Sequence, residues 1–382
     1  MKIVYCTFGF FNKGGIERVI SNKANYLVLQ GHEVHIVTTD QKERPLAFPL
    51  NPKVKFHDLE INYSLRPHSS YYSKIHCYLH NSNFHKVRLK KLLEELKADI
   101  VISTFENETY LLPKIKDGSK KIVEFHYTYF MFKIRKNRKG ILGVFDRYLE
   151  WKKLQAMKKY DRLVVLTNED KANWKGYNNI EVISNAQTFQ CKQPSLLENN
   201  KVIAVGRYSY EKGFDRLIKA WDIINKEIKG WTLHIIGDGG CREALQNQIN
   251  ELGLNRCVFL DGFKSNMKEE YLDASLFVLS SRYEGFGMVL LEAMSCGVPA
   301  VSFDCPCGPK DLITDGENGY LVEDDDIEKL ADRIVYLIRH PEKRKEMGTM
   351  AYKRSADYSE DKIMKQWMEL FNEVLADSKK NS

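Results

Sequence analysis

Short apolar runs alternate with stretches of helical periodicity along almost the whole chain. KIVYCTF opens as a buried strand, a glycine-bearing loop GFFNKGG follows, and apolar residues at helical spacing predict a helix from about Ile16 to Leu29. Gly31 ends that helix and HEVHIVTTD supplies a second strand. Strand, loop, helix and strand in this order form a βαβ unit, which commits the chain to a parallel sheet. A helix near 84–97 and strands at DIVIST, KKIVEFHY, DRLVVLT and IEVISN continue the pattern, with a long basic segment between the last two pairs. Residues 186–200, AQTFQCKQPSLLENN, lack periodicity and contain a proline, so a linker is expected there.

The alternation then restarts. KVIAVGR, WTLHIIGDG, CVFLDGF, SLFVLSS and VPAVSF read as strands, and each of the first four is followed by a helix. The chain after about Glu328 is mostly helical. At 382 residues it is too long for one ordinary core. The expected architecture is α/β, two doubly wound Rossmann-like domains facing each other across a cleft. Their expected bounds are 1–185 and 201–360, with a C-terminal helix over 361–382 packing back on the first domain.

Composition narrows the class. No apolar run approaches the roughly 20 residues that span a bilayer. MKIVYC passes straight into a strand and leaves no room for a signal peptide, so a cytoplasmic chain is expected. The eight cysteines include no C-x-x-C pair, and Cys305 and Cys307 lack partner ligands, so reduced thiols are expected. His76, His80 and His85 have no accompanying carboxylate pattern and are assigned to the surface or a loop. Asp324, Asp325 and Asp326 imitate a D-x-D metal motif but stand just before a helix, where capping is the expected role. No metal site is expected. Residues 1–195 carry 33 Lys and Arg against 19 Asp and Glu, whereas the remainder carries 25 against 32, so the two halves face different electrostatic tasks.

In open parallel sheets, ligands bind outside the carboxyl ends of the strands. SRYEGFGMVLLEAMSCGVP, residues 281–299, lies there: a strand end, a loop, and a helix stopped by Gly297. The backbone amides of Phe286, Gly287 and Met288 at that helix entrance favour an anion such as phosphate. Glu284 and Glu292 would be repelled by an anion, so hydroxyl groups suit them better, and two sugars joined by a diphosphate would occupy both. Dipole complementation is the plain alternative for the two glutamates. Upstream, VGRYSYEKGFD places Arg207 just after a strand and Lys212 before a helix, two cations fit for a departing diphosphate. Surface ion pairing is the plain alternative for these.

These elements together resemble the family 4 retaining glycosyltransferases of the GT-B fold. The chain carries a GGxER-type loop (Gly14, Gly15, Glu17, Arg18), a GRxxxxKG element from Arg207 to Gly213, and the E-x7-E signature from Glu284 to Glu292. The similarity is strongest to bacterial capsule, lipopolysaccharide and glycan-assembly enzymes. The resemblance implies that Gly14 and Gly15 approach the diphosphate and that Arg207 and Lys212 neutralise it. It further implies that Glu284 and the 286–288 amides hold the donor sugar and phosphate, and that Glu292 holds the ribose. Phe263 and Lys264 would contact the base, and His126 would face the transferred sugar. Retention of configuration and metal-independent transfer, with no cofactor beyond the nucleotide-sugar co-substrate, are implied in the same way. The linker strand departs from the family, ending SNAQTF where relatives often carry an Asn-Pro/Gly-Val-Asp type turn.

Between 130 and 160, ten Lys or Arg are interleaved with aromatic and aliphatic residues. That composition suits an anionic membrane surface or a polyprenyl diphosphate. A solvated helix face is the plain alternative. Nucleic acid is not expected, because no recognition motif accompanies the charge. The expected function is transfer of a hexose or N-acetylhexosamine from a UDP-linked donor to a lipid-linked or growing surface glycan, by a peripheral protein of the inner membrane face. A GT-B nucleotide-sugar epimerase and a non-catalytic sugar-nucleotide or membrane-binding protein are the alternatives.

Overall fold

The computed structural model describes all residues except 13, 65–70, 135–139 and 381–382. Four of the basic residues noted above, at 135, 136, 138 and 139, lie outside the described residues. The chain forms two compact units. The first comprises Met1–Leu166, Lys171–Ile183 and Ile363–Ser382; the second comprises Thr167–Asp170 and Ser184–Lys362.

The first unit is built on β1 (Lys2–Thr7), α1 (Gly15–Leu29), β2 (Glu33–Thr38), β3 (Lys55–Asp58), α2 (Tyr71–Leu96), β4 (Ile100–Ser103), β5 (Lys120–Glu124), α3 (Met131–Ile134), α4 (Ile141–Met157) and β6 (Arg162–Val165). The helix α5 (Asn168–Asn173) and strand β7 (Ile180–Val182) follow. All seven strands are parallel, in the order β3-β2-β1-β4-β5-β6-β7. Strands covered on both faces read as continuous apolar runs, and β1 and β4 fit, with Ile3, Val4, Tyr5, Ile100, Val101 and Ile102 wholly buried.

The second unit contains β8 (Lys201–Val205), α6 (Phe214–Glu227), β9 (Thr232–Ile236), α7 (Arg242–Glu251), β10 (Val258–Gly262), α8 (Met267–Leu272), β11 (Leu276–Leu279), α9 (Met288–Ser295) and β12 (Ala300–Phe303). It continues with α10 (Pro309–Leu312), β13 (Gly319–Val322), α11 (Ile327–Arg339) and α12 (Pro341–Ser355). Its six strands are also parallel, ordered β10-β9-β8-β11-β12-β13. Trp221, Phe277, Phe303 and the aliphatic residues of α6 and α11 fill its core.

The last helix, α13 (Glu360–Lys380), runs from the end of the second unit into the first. Trp367 and Phe371 on it are buried. Two expectations change. The helix expected near 84–97 begins at Tyr71. The segment 186–200 has no regular structure but is not a free tether, because Cys191 and Leu197 are buried and Ser195 donates its amide to the Cys296 carbonyl at 2.7 Å.

Candidate active site

Strand order reverses between β8 and β11 in the second unit, since β8 leads to β9 on one side while β11 leads to β12 on the other. Loops leaving the carboxyl ends of such a pair diverge to opposite faces and leave a crevice between them. The β8 loop carries Arg207 and Lys212, and the β11 loop carries Glu284 and the entrance of α9. Topology alone therefore puts these residues on one edge.

The two loops are knitted together. Gly213 lies so close to the Ser280 carbonyl that a Cβ built on it would stand 2.0 Å from that oxygen, and its φ of 62° also favours glycine. Ser280 Oγ donates to the Lys212 carbonyl at 2.9 Å, and the buried Arg216 guanidinium donates to the Ser280 carbonyl at 2.8 Å. Arg282 forms a bidentate pair with Asp215 at 2.7 and 2.8 Å and donates to the Tyr210 carbonyl, which closes the outer side of the same loop.

Inside this frame Lys212 Nζ donates to Glu284 Oε1 at 2.7 Å, and Ser281 Oγ donates to the same oxygen at 2.6 Å. Glu284 is nearly buried, and no described residue donates to its Oε2. One oxygen is thus held by the protein and the other remains an acceptor for a hydroxyl group. The stem of Lys212 runs over Gly206, where any side chain would meet it at 3.2 Å. α9 begins beyond Gly287 without a side-chain cap, so its first amides are not spent on a capping side chain.

The other sequence-derived residues are placed as follows. Arg207 is exposed, and its guanidinium makes no ion pair with a described residue. Glu292 accepts from Thr188 Oγ1 at 2.8 Å through Oε1 and from the Tyr271 hydroxyl at 3.0 Å through Oε2. Phe286 is buried with its ring against Tyr358. Phe263, 58% exposed, and Lys264, 3.7 Å from Glu270, follow the edge strand β10. Gly14 and Gly15 begin α1 in the first unit, again with no side-chain cap.

His126, two residues past β5 in the first unit, has a side chain 3% exposed, with Nε2 3.4 Å from Glu124 Oε1. Asp326 caps α11 by accepting from the Lys329 amide at 2.9 Å, while Asp324 and Asp325 pair with Arg216. His85, expected at the surface or in a loop, is instead buried on α2 and hydrogen-bonded to the Tyr63 hydroxyl.

Two family models cover most of the chain between them. The model described as glycosyltransferase family 4 matches residues 13–186, and the model described as glycosyl transferases group 1 matches residues 186–354. The chain belongs to the family 4 glycosyltransferases. This glycosyltransferase is 29% identical over 371 residues to an uncharacterized glycosyltransferase of Haemophilus influenzae, covering 96% of this chain and 98% of that one.

It is 28% identical over 376 residues to the Campylobacter jejuni enzyme that adds α-1,4-N-acetylgalactosamine to a diNAcBac-PP-undecaprenol-linked disaccharide, covering 95% and 96%. With the amylovoran biosynthesis glycosyltransferase AmsD of Erwinia amylovora it shares 33% identity over 223 residues, 56% of this chain and 62% of that one. Among solved structures, the lipopolysaccharide outer core galactosyltransferase WaaB superposes with a TM-score of 0.71 at 22% identity, covering 99% and 100%. Anabaena HepE in complex with UDP and glucose gives 0.75 at 17% identity, covering 97% and 99%. Both likenesses establish the GT-B fold.

The sequence did not single out Ser281, Thr188, Tyr271 or the Arg282–Asp215 clamp. Ser281 carried a usable signal, since a hydroxyl three residues before a loop carboxylate can reach it. Thr188 carried none, because it lies in the stretch without periodicity.

Proposed function

We propose that this enzyme transfers a hexose or N-acetylhexosamine, with retention of configuration, from a UDP-linked donor to a lipid-linked or growing surface glycan. The observation that carries the donor half is the Lys212–Glu284 couple beside the uncapped start of α9. A diphosphate arriving there meets an ammonium and free amides, and it draws Lys212 from the carboxylate. Glu284, still held by Ser281 through Oε1, then offers Oε2 and the acceptor site that Lys212 vacates to the sugar hydroxyls. Arg207 supplies the second positive charge from the same loop, and Glu292, held by Thr188 and Tyr271, is the carboxylate assigned to the ribose hydroxyls.

His126 is assigned to the transferred sugar, as the family resemblance implies. The charge on the leaving diphosphate is met by these side chains and amides, and transfer is expected to persist in excess EDTA. The UDP complexes of HepE and the undecaprenol-linked substrate of the Campylobacter relative support the choice of donor and acceptor class.

Thermal shift against a panel of UDP- and GDP-sugars tests the donor. A UDP-sugar is expected to raise the midpoint most, and UDP release is expected to need an added acceptor. Stabilisation by GDP-sugars alone would overturn the choice of base, and acceptor-independent conversion of the donor sugar would favour an epimerase.

Peripheral binding to an anionic membrane is supported by α4. Ile141, Val144, Tyr148 and Trp151 recur at helical spacing along it and are each half exposed or more, flanked by Arg147, Lys152 and Lys159. No described helix is long and apolar enough to cross a membrane. Co-sedimentation with phosphatidylglycerol vesicles, but not with phosphatidylcholine vesicles, is expected. Val144→Glu with Trp151→Glu is expected to abolish it. Equal recovery of this double variant with the vesicles would remove α4 from the surface.

A further inference from the structure

A buried ion pair lies under His126. Lys23, on α1, donates from Nζ to both oxygens of Glu124 at 2.7 Å, and Glu124 is the last residue of β5. The Trp367 ring of α13 covers the ammonium at 3.4 Å from its centroid, and the Tyr5 ring of β1 lies 5.7 Å away. Lys23 and Glu124 are almost inaccessible. Taking an ammonium and a carboxylate out of water costs several kcal/mol per ion, and an apolar pair of similar volume would pack at least as well. Packing therefore gives no reason to keep charges here, whereas the neighbour does. His126 Nε2 is 3.4 Å from Glu124 Oε1 and is itself buried with no hydrogen bond from a described residue.

A histidine that close to a lone carboxylate would be drawn into an imidazolium–carboxylate pair. We propose that Lys23 is a positioning residue that saturates Glu124 and so keeps the His126 imidazole neutral and unpaired, with Trp367 of the C-terminal helix sealing the ammonium in place. The charged groups that act on His126 are Glu124 at the end of β5 and Lys23 from α1, and the phenol of Tyr5 on β1 lies beside that ion pair. Burial pushes the Tyr5 phenol up, so it stays neutral. Burial pulls His126 below its ordinary value; Glu124 pulls it up and Lys23 pulls it down, as the geometry requires. Burial likewise lowers the Lys23 ammonium, against the raising pull of Glu124. The benefit for transfer rests on the placement of His126 against the donor sugar, but its charge state does not.

The test is an imidazole nitrogen titration by NMR of the full chain with labelled histidine, the His126 resonance being identified by its loss in His126→Gln. Lys23→Met leaves Glu124 alone and is expected to raise the His126 midpoint by at least one pH unit. Glu124→Gln leaves the ammonium alone and is expected to lower it. The double variant removes both charges and is expected to return it close to the wild-type value. If Lys23→Met does not fold, the order of the other two variants carries the same sign. An unchanged His126 midpoint across the folded variants overturns the proposal. The pH profile of kcat/KM supplies a separate reading. An acidic limb displaced upward in Lys23→Met links the charge state to transfer. An NMR shift without that displacement would keep the Lys23 role and overturn the placement of His126 at the donor.

Discussion

At the residue scale, the site depends on which oxygen of a carboxylate is already occupied. Glu284 Oε1 takes two hydrogen bonds, from Lys212 and Ser281, and these fix the direction in which Oε2 points. Removing one hydrogen bond to a charged group typically costs about 1.5–3 kcal/mol. Ser281→Ala is therefore expected to lower kcat/KM by roughly 10- to 100-fold, with UDP affinity retained because the serine hydroxyl is bonded to the carboxylate assigned to the sugar; a pair of UDP and UDP-sugar titrations checks this. Gly213→Ala is expected to destabilise the second unit by about 2 kcal/mol or more, from a positive φ and a collision with the Ser280 carbonyl, seen as a lower urea midpoint of unfolding.

Glu108 offers a test in pH. Burial and the neighbouring Glu106 push its carboxyl up to about 7. Its folded value exceeds the ordinary 4.5, so the folded state holds the extra proton between about 4.5 and about 7, and the stability it contributes is lost as pH rises through that window. His85, lowered to about 4 by burial, slopes the other way below about 6.5. The Glu108 effect is therefore read against Glu108→Gln, relative to which wild type is expected to lose stability from about pH 4.5 to about pH 7.

At the scale of elements, glycines and apolar periodicity make most of the fold legible in the sequence. α1, α6 and α9 start and stop close to where Gly14, Gly213, Gly287 and Gly297 stand in the sequence. The misses have a common physical origin. β3 and β13 are four-residue strands whose identity comes from pairing with β2 and β12 rather than from a period of their own. α2 starts at Tyr71, and its first turns mix tyrosine, histidine and polar residues, so no apolar face announces them. The 186–200 segment earned its shape from tertiary hydrogen bonds: Thr188 to Glu292, Gln187 with Ser295, and Ser195 with Cys296. Periodicity cannot report such contacts. Asp326, by contrast, was legible because capping is local; Asp326→Ala is expected to cost about 1 kcal/mol, measured by chemical denaturation.

For the whole molecule, each unit repeats the same logic. A parallel sheet reverses its strand order once, at β1 and β4 in the first unit and at β8 and β11 in the second. The loops at the second reversal bring Lys212 to Glu284, which the sequence indicated through residue types on strand ends but could not show as a contact. It could not show that Arg207 forms no ion pair with a described residue either, because reach depends on side-chain direction. In the proposed reading, Lys212 grips the diphosphate while Glu284 grips the sugar. Calorimetric titration of UDP and of the preferred UDP-sugar into Lys212→Met and Glu284→Gln separates the two tasks. Lys212→Met is expected to lose affinity for both ligands by at least tenfold, and Glu284→Gln to keep UDP while losing the preference for UDP-sugar. Wild-type affinities for both ligands in both variants would contradict the claim.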